Sequence, residues 1–180
     1  MVYARIASDL TAATRIVRRW KRQGHRIVLA NGCFDLIHGG HVCYLTAARR
    51  LGDRLVVAVN SDASVRMLKG PDRPVFSVQV RMAMVAALDG VDLVFPFSER
   101  DLTRVLRVLR PHVHCKGSDY SRPEDIPEYP VSHALGIRSA IVGGPKIQSS
   151  RWLVALIHAW PTSSDTRMAW KCHIPYTQTL

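Results

Sequence analysis

No stretch of this chain approaches the ~20 consecutive apolar residues that span a bilayer, and residues 1–9 lack the apolar core of a secretory signal. A cytoplasmic protein with no membrane partner is the resulting expectation. Cysteine is sparse. Cys33, Cys43, Cys115 and Cys172 are the full set, and none falls in a Cys-x-x-Cys pair. That pattern argues against a zinc ribbon or a dithiol redox motif. Cys33 and Cys115, each beside a strand-like segment, read as small buried residues with free thiols. Also missing are the Gly-x-Gly-x-x-Gly fingerprint, the Walker loop, a Ser-His-Asp order and any cluster with metal-ligand spacing, so no protein-borne metal site is expected. Acidic residues are few, 14 against 25 Lys and Arg, which leaves a formal charge of +11. Such a surplus favours polyanionic partners, either nucleic acid or small phosphate-rich molecules. Basic and aromatic residues do not interleave as a single-strand binding stripe would require. Arg15, Arg18, Arg19, Lys21 and Arg22 read instead as the solvated face of one helix, whose apolar face carries Ile16, Val17 and Trp20. No nucleic-acid partner is therefore expected.

What is present is enough apolar material, 47% of 180 residues, for one domain with a full core. The spacing predicts a helix from about residue 8 to 23, stopped by Gly24. Strands are expected at 27–30, 54–59, 91–95, 112–115 and 139–142. The run at 54–59 is continuously apolar, as in parallel sheets covered on both faces. Between them lie helices at about 42–51, 62–68, 78–88, 101–109 and 131–135, with a final helix from about 149 to 160. Residues 69–74 and 121–130 read as loops. This alternation predicts an α/β, Rossmann-like, doubly wound five-stranded parallel sheet with right-handed crossovers. Ligands of such sheets bind beyond the strand C-termini, where the strand order reverses. Residues 1–160 are expected to form the single domain, and 161–180 a polar tail.

The richest stretch is Asn31-Gly32-Cys33-Phe34-Asp35-Leu36-Ile37-His38-Gly39-Gly40-His41, between an apolar strand and a helical pattern. A helix start offers unpaired N–H groups and partial positive charge, which attract phosphate. His38 and His41 beside those amides are suited to hold a triphosphate and to stabilise charge on a departing pyrophosphate. The competing reading has one histidine capping the helix and the other on the surface. Gly40 lets a phosphate approach the backbone. Asp35 either orients backbone, binds a metal indirectly or makes an Asx turn, and Phe34 reads as a core anchor. Lys69, in Leu68-Lys69-Gly70-Pro71, is able to meet the phosphate of a second substrate. Arg81 faces the same space or is an ordinary surface arginine. In Lys116-Gly117-Ser118-Asp119-Tyr120, Lys116 suits a phosphate, and Asp119 suits a hydroxyl or a turn. Ser149 and Ser150 open the last helix as a second anion site, with Lys146 and Arg151 adding charge. No general base for a hydroxyl nucleophile stands out. An ionised phosphate monoester attacking phosphorus needs none, which favours a phosphate acceptor.

Asn31–His41 resembles the Gly-x-Phe-Asp-x-x-His-x-Gly-His signature of the nucleotidyltransferases, shared by cytidylyltransferases, adenylyltransferases and class I tRNA synthetases. Ala47–Asp53, Val59–Arg66, Leu68–Pro71 with Arg73-Pro74, and Lys116–Tyr120 further resemble the bacterial D-glycero-β-D-manno-heptose 1-phosphate adenylyltransferases. This similarity covers roughly residues 10–160. It implies transfer of AMP from ATP to heptose 1-phosphate, giving ADP-heptose and pyrophosphate for lipopolysaccharide core or another surface glycan. It also implies Mg²⁺ carried mainly on substrate phosphates and water, and a homodimer. Catalytic roles would fall to His38, His41 and Lys69. Nucleotide contacts would fall to Asn31, Gly32, Cys33, Phe34, Asp35, Gly40, Arg81, Lys116, Asp119, Ser149 and Ser150. Two alternatives stand beside it: a cytidylyltransferase acting on glycerol 3-phosphate or a similar alcohol phosphate, and a non-catalytic nucleic-acid-binding module.

Overall fold

A computed structural model describes residues 4–144. Its order is β1 (Arg5–Ile6), α1 (Leu10–Arg22), β2 (Ile27–Gly32), α2 (Gly39–Arg49), β3 (Arg54–Asn60), α3 (Asp62–Lys69), α4 (Val78–Ala86), β4 (Leu93–Phe97), α5 (Thr103–Leu109), β5 (Val113–Lys116), α6 (Tyr129–Ala134) and β6 (Arg138–Ile141), with a 3₁₀ turn at Pro123–Asp125. The expected final helix, the tail, Lys146, Ser149, Ser150 and Arg151 lie outside the described residues.

The strands form one parallel sheet in the order β1-β4-β3-β2-β5-β6. Six strands replace the expected five. The added one, β1, is a two-residue edge strand with both residues exposed, too short to show a period-two pattern. It exists because Arg5 and Ala7 donate to Asp92 and Val94 carbonyls of the neighbouring segment.

Two cores sandwich the sheet. Tyr44, Leu45 and Ala48 of α2 and Met82, Val85 and Ala86 of α4 pack on Val28, Ala30, Val57 and Val59. Ala13, Val17 and Trp20 of α1, with Leu102, Val105 and Leu106 of the α5 segment, pack on Ile27, Leu29, Val56 and Phe95. Both faces of the central strands are thus covered, which is why 54–59 is apolar without alternation.

Local chemistry sets the helix ends. Asp9 caps α1 by accepting the Ala12 N–H at 2.8 Å, and Gly24 leaves it at φ +84°. Helix α2 begins at Gly39, three residues before the expected start, because His38 is its N-cap. Two glycines are poor helix formers and hide that first turn in the sequence. Strand β4 runs through Pro96, beyond the expected end at residue 95. Pro96 shares with Val94 the side of the strand facing β1, and β1 has already ended there, so its missing N–H leaves no ladder bond unmade.

Candidate active site

The strand order reverses beside β2. From β2 the chain steps outward to β3 and β4, then crosses back to place β5 on the other flank. The C-terminal ends of β2 and β5 are therefore neighbours, and a cleft of about 310 Å³ opens over them. Asn31, Gly32, Cys33, Phe34, His38, Gly40 and His41 line one wall; Lys116, Gly117, Ser118, Asp119 and Tyr120 line the other. Lys69, the exposed last residue of α3, stands at the rim.

His38 occupies the N-cap of α2 through its backbone, and its side chain makes no capping hydrogen bond. Its ring stacks instead on His41, with centroids 3.9 Å apart and planes 29° from parallel. The His41 ring also meets Phe34, at 5.3 Å and 54°. Phe34 takes φ +47°, an unusual conformation for a bulky residue. Gly32 makes room for it, since a Cβ there would sit 3.2 Å from the Phe34 ring. Phe34 is thus both a core anchor and the seat of the histidine pair.

Behind this wall the two flanks are tied together. The Tyr44 hydroxyl donates to the Cys115 carbonyl at 2.8 Å and accepts the Asn31 N–H at 3.4 Å, bridging β2 and β5. Burial pushes the Tyr44 phenol well above its ordinary pKa, so it stays protonated and keeps donating. His114, fully buried on β5, lies 3.4 Å from the Asn31 amide oxygen through Nε2. Burial, with Lys116 nearby, pushes its pKa down to about 3 and keeps it neutral. Lys116 donates to buried Glu128 at 3.2 Å. Burial also raises the Cys33 and Cys115 thiols, the latter to about 12, which suits structural cysteines rather than nucleophiles. Cys33 is half-buried on the cleft wall rather than in the core.

Two expected nucleotide contacts face elsewhere. Asp35 is 1% exposed, and its Oδ1 accepts the Val75 and Phe76 N–H groups at 2.7 and 3.2 Å, while Oδ2 meets Arg73. Of the roles open to it, orienting backbone is the one it fills. Arg81 is neither at the cleft nor on the surface. Fully buried, it donates to the Phe76 carbonyl, the Cys33 carbonyl and Asp62. Neither residue lines the cleft.

Tyr44, Asn60, Glu128 and the turn Val142-Gly143-Gly144 were missed by sequence reasoning. Asn60 ends β3 on the cleft wall and donates to Ser64 Oγ at 2.9 Å. Gly143 has φ +103° and sits where a Cβ would lie 3.0 Å from Tyr44 Cα. A glycine pair directly after a strand was the available signal; nothing local marks Glu128.

Among the described residues no three His, Cys, Asp or Glu side chains converge as a metal site. The cleft instead joins a helix start and two lysines to a wall of backbone and amide groups. Such a set of groups is able to hold a phosphate chain.

The chain is similar to known proteins along most of this framework. Residues 29–162 match the model of the cytidylyltransferase-like family. Bifunctional protein HldE of Chromohalobacter salexigens is 56% identical over 110 residues, 61% of this chain and 23% of that protein. HldE of Methylobacillus flagellatus is 43% identical over 152 residues, 84% of this chain and 28% of that one. The chain thus spans about a quarter of the length of these curated relatives. Among solved structures, the lipopolysaccharide core biosynthesis protein of Thermoplasma volcanium GSS1 superposes with a TM-score of 0.59 at 27% identity, covering 68% of this chain and all of that one. The matched span takes in both cleft walls, from β2 with its paired histidines to the segment after β5, and the chain belongs to the cytidylyltransferase-like family.

Proposed function

We propose that this protein is an adenylyltransferase that transfers AMP from ATP to D-glycero-β-D-manno-heptose 1-phosphate. The observation that carries the reading is the convergence of the stacked histidines, the α2 start, Lys69 and the Lys116–Tyr120 loop on one cleft. The Leu68–Pro71 and Lys116–Tyr120 blocks resemble the heptose 1-phosphate enzymes, and a structural neighbour serves lipopolysaccharide core biosynthesis. These support the sugar phosphate over glycerol 3-phosphate and over a nucleic-acid partner.

In this mechanism the triphosphate lies along the first turn of α2, with His38 and His41 beside it. An oxygen of the sugar phosphate attacks the α-phosphorus in line. The bond between that phosphorus and the bridging oxygen of pyrophosphate breaks, and the leaving oxygen takes the electron pair. The attacking group is already ionised, so no proton has to be removed. The histidines act as donors to the charge gathering on pyrophosphate. Lys69 lowers the repulsion between two anionic substrates. The oxygen and amide groups of Asn31, Asn60 and Asp119 suit a hydrated Mg²⁺ borne on the phosphates, rather than a protein-caged ion. Such an ion supplies charge neutralisation on the phosphate oxygens. A homodimer in the cytoplasm belongs to the same proposal.

The test is a panel of ATP and CTP against heptose 1-phosphate, glycerol 3-phosphate and other sugar phosphates, read by pyrophosphate release. Turnover is expected with ATP and heptose 1-phosphate, and His41→Ala should lower kcat by roughly 10²–10³. Preference for CTP, or for another acceptor, would replace the assignment. Unchanged turnover in the variant would remove the role given to His41.

A further inference from the structure

We infer that Asp35, although part of the histidine turn, is a positioning residue for the acceptor side: it acts through Lys69 rather than on the nucleotide. The inference rests on the two-substrate reading above and deepens it.

The argument starts from where Lys69 stands. It is the last residue of α3, followed by Gly70 at φ +101°, which turns the chain out of the helix. Lys69 is exposed, and its ammonium group makes no hydrogen bond or ion pair among the described residues. Its location therefore depends on how the backbone on either side is held. On the N-terminal side, Asp62 in the first turn of α3 accepts from Arg81 at 2.7 Å. On the C-terminal side, the chain from Arg73 to Phe76 is fastened to Asp35. One carboxylate oxygen takes two consecutive N–H groups, and the other meets the Arg73 guanidinium at 2.5 Å. The Asp35 and Arg73 side chains are 0% and 12% exposed, so solvent screens this pair little.

Both fastenings end on the same turn. Asp35 lies within it, and Arg81 Nη1 donates to the Cys33 carbonyl two residues earlier. The turn that presents His38 and His41 is thus also the anchor for the segment that presents Lys69. Between the two fastenings, the exposed run from Arg66 to Lys69 and the turn at Pro71-Asp72 have no tether of their own to the histidine turn among the described residues. Asp35 sets the spacing between the triphosphate seat and the acceptor lysine, which fixes how far apart the two substrates lie. A carboxylate suits the task because a charged acceptor holds the two N–H groups more strongly than an amide does, while its charge pairs with the Arg73 guanidinium.

The experiment is a double-mutant cycle on the full chain. Asp35→Asn retains an oxygen for the two N–H groups and loses the charge facing Arg73. Arg73→Gln perturbs the same pair from the other side. It carries the test if Asp35→Asn does not fold. Each is made alone and combined with Lys69→Ala. KM for both substrates, kcat, and amide hydrogen exchange across residues 66–76 are read. Expected are a roughly tenfold rise in KM for the acceptor phosphate, unchanged ATP affinity, faster exchange at Val75 and Phe76, and little further loss once Lys69 is absent. Additive losses in the Lys69→Ala background, or an equal loss of ATP affinity, would overturn the inference. So would unaltered exchange at Val75 and Phe76. If the parent chain turns over no acceptor phosphate, the functional reading fails by itself, and the exchange data still judge the tether.

Discussion

Arg81→Met removes a cation that three separated segments depend on. The guanidinium is fully buried. Its Nε donates to the Phe76 carbonyl at 2.9 Å, Nη1 to the Cys33 carbonyl at 2.5 Å and Nη2 to Asp62 at 2.7 Å. The three acceptors do not suffer equally. The Asp62 side chain is 30% exposed, so its carboxylate regains water when the arginine goes. The Cys33 and Phe76 carbonyls lose charged donors from a site packed for a guanidinium. Both bonds are part-buried; an acceptor left unpaired in such a site costs up to about 1–3 kcal/mol, and removing one member of a buried charged set costs about 3–5 kcal/mol in all. For a chain of this size that lowers the melting temperature by roughly 10 °C or more. Thermal and urea unfolding followed by circular dichroism measure it. Adding Asp62→Asn to the methionine variant should recover only a minor part, because the solvated carboxylate is the lesser loss. A fall of under about 3 °C would refute the reasoning, since Arg81 would then be behaving as the surface arginine the sequence allows. Recovery of most of the stability by Asp62→Asn would refute it in a different way, by putting the cost on the carboxylate rather than the carbonyls.

Gly52→Ala should destabilise by about 1–3 kcal/mol, because a Cβ there would lie 2.7 Å from both the Arg26 carbonyl oxygen and Val28 Cγ2; urea unfolding reads the change. Tyr44→Phe should cost about 1–2 kcal/mol by leaving the Cys115 carbonyl and the Asn31 N–H without their shared hydroxyl, measured the same way. Burial depresses His114 from 6.5 to about 3, so the unfolded chain binds more protons between those values. Its stabilising effect is complete above about pH 6.5 and is lost as pH falls towards 3. His112, lowered by burial and by Lys21 and Arg26, acts in the same direction. Urea unfolding at several pH values should therefore show a shallower decline for His114→Leu than for the parent chain; parallel curves would count against it.

How far the sequence could be read followed the range of the interactions. Helix α1 was visible because Asp9, Gly24 and the apolar spacing all act within one segment. The histidine pair was visible for the same reason, as its spacing is local to the start of α2. Asp35 and Arg81 were not, because their partners come from elsewhere. The Asp35 bonds span 40 and 41 residues, and the Arg81 bond to Cys33 spans 48. A polar residue beside a signature motif reads as a ligand contact until the segment that occupies it is known. The limits of β4 shifted from 91–95 to Leu93–Phe97 for a related reason, since pairing with β3 and the early end of β1 decide them.

The neighbouring of β2 and β5 also has a consequence in time. The Asn31–His114 contact joins positions 83 residues apart, and β3 and β4 lie between them in the chain. Closing so long a loop is entropically costly until intervening structure shortens it. Parallel pairing across such separations is among the slower events in folding. The histidine turn is local and able to form early, whereas the opposite wall arrives only when β5 docks. A nascent chain ending before residue 113 would carry both histidines and no cleft, so competence to bind nucleotide should appear abruptly, with the last central strand, rather than grow with chain length.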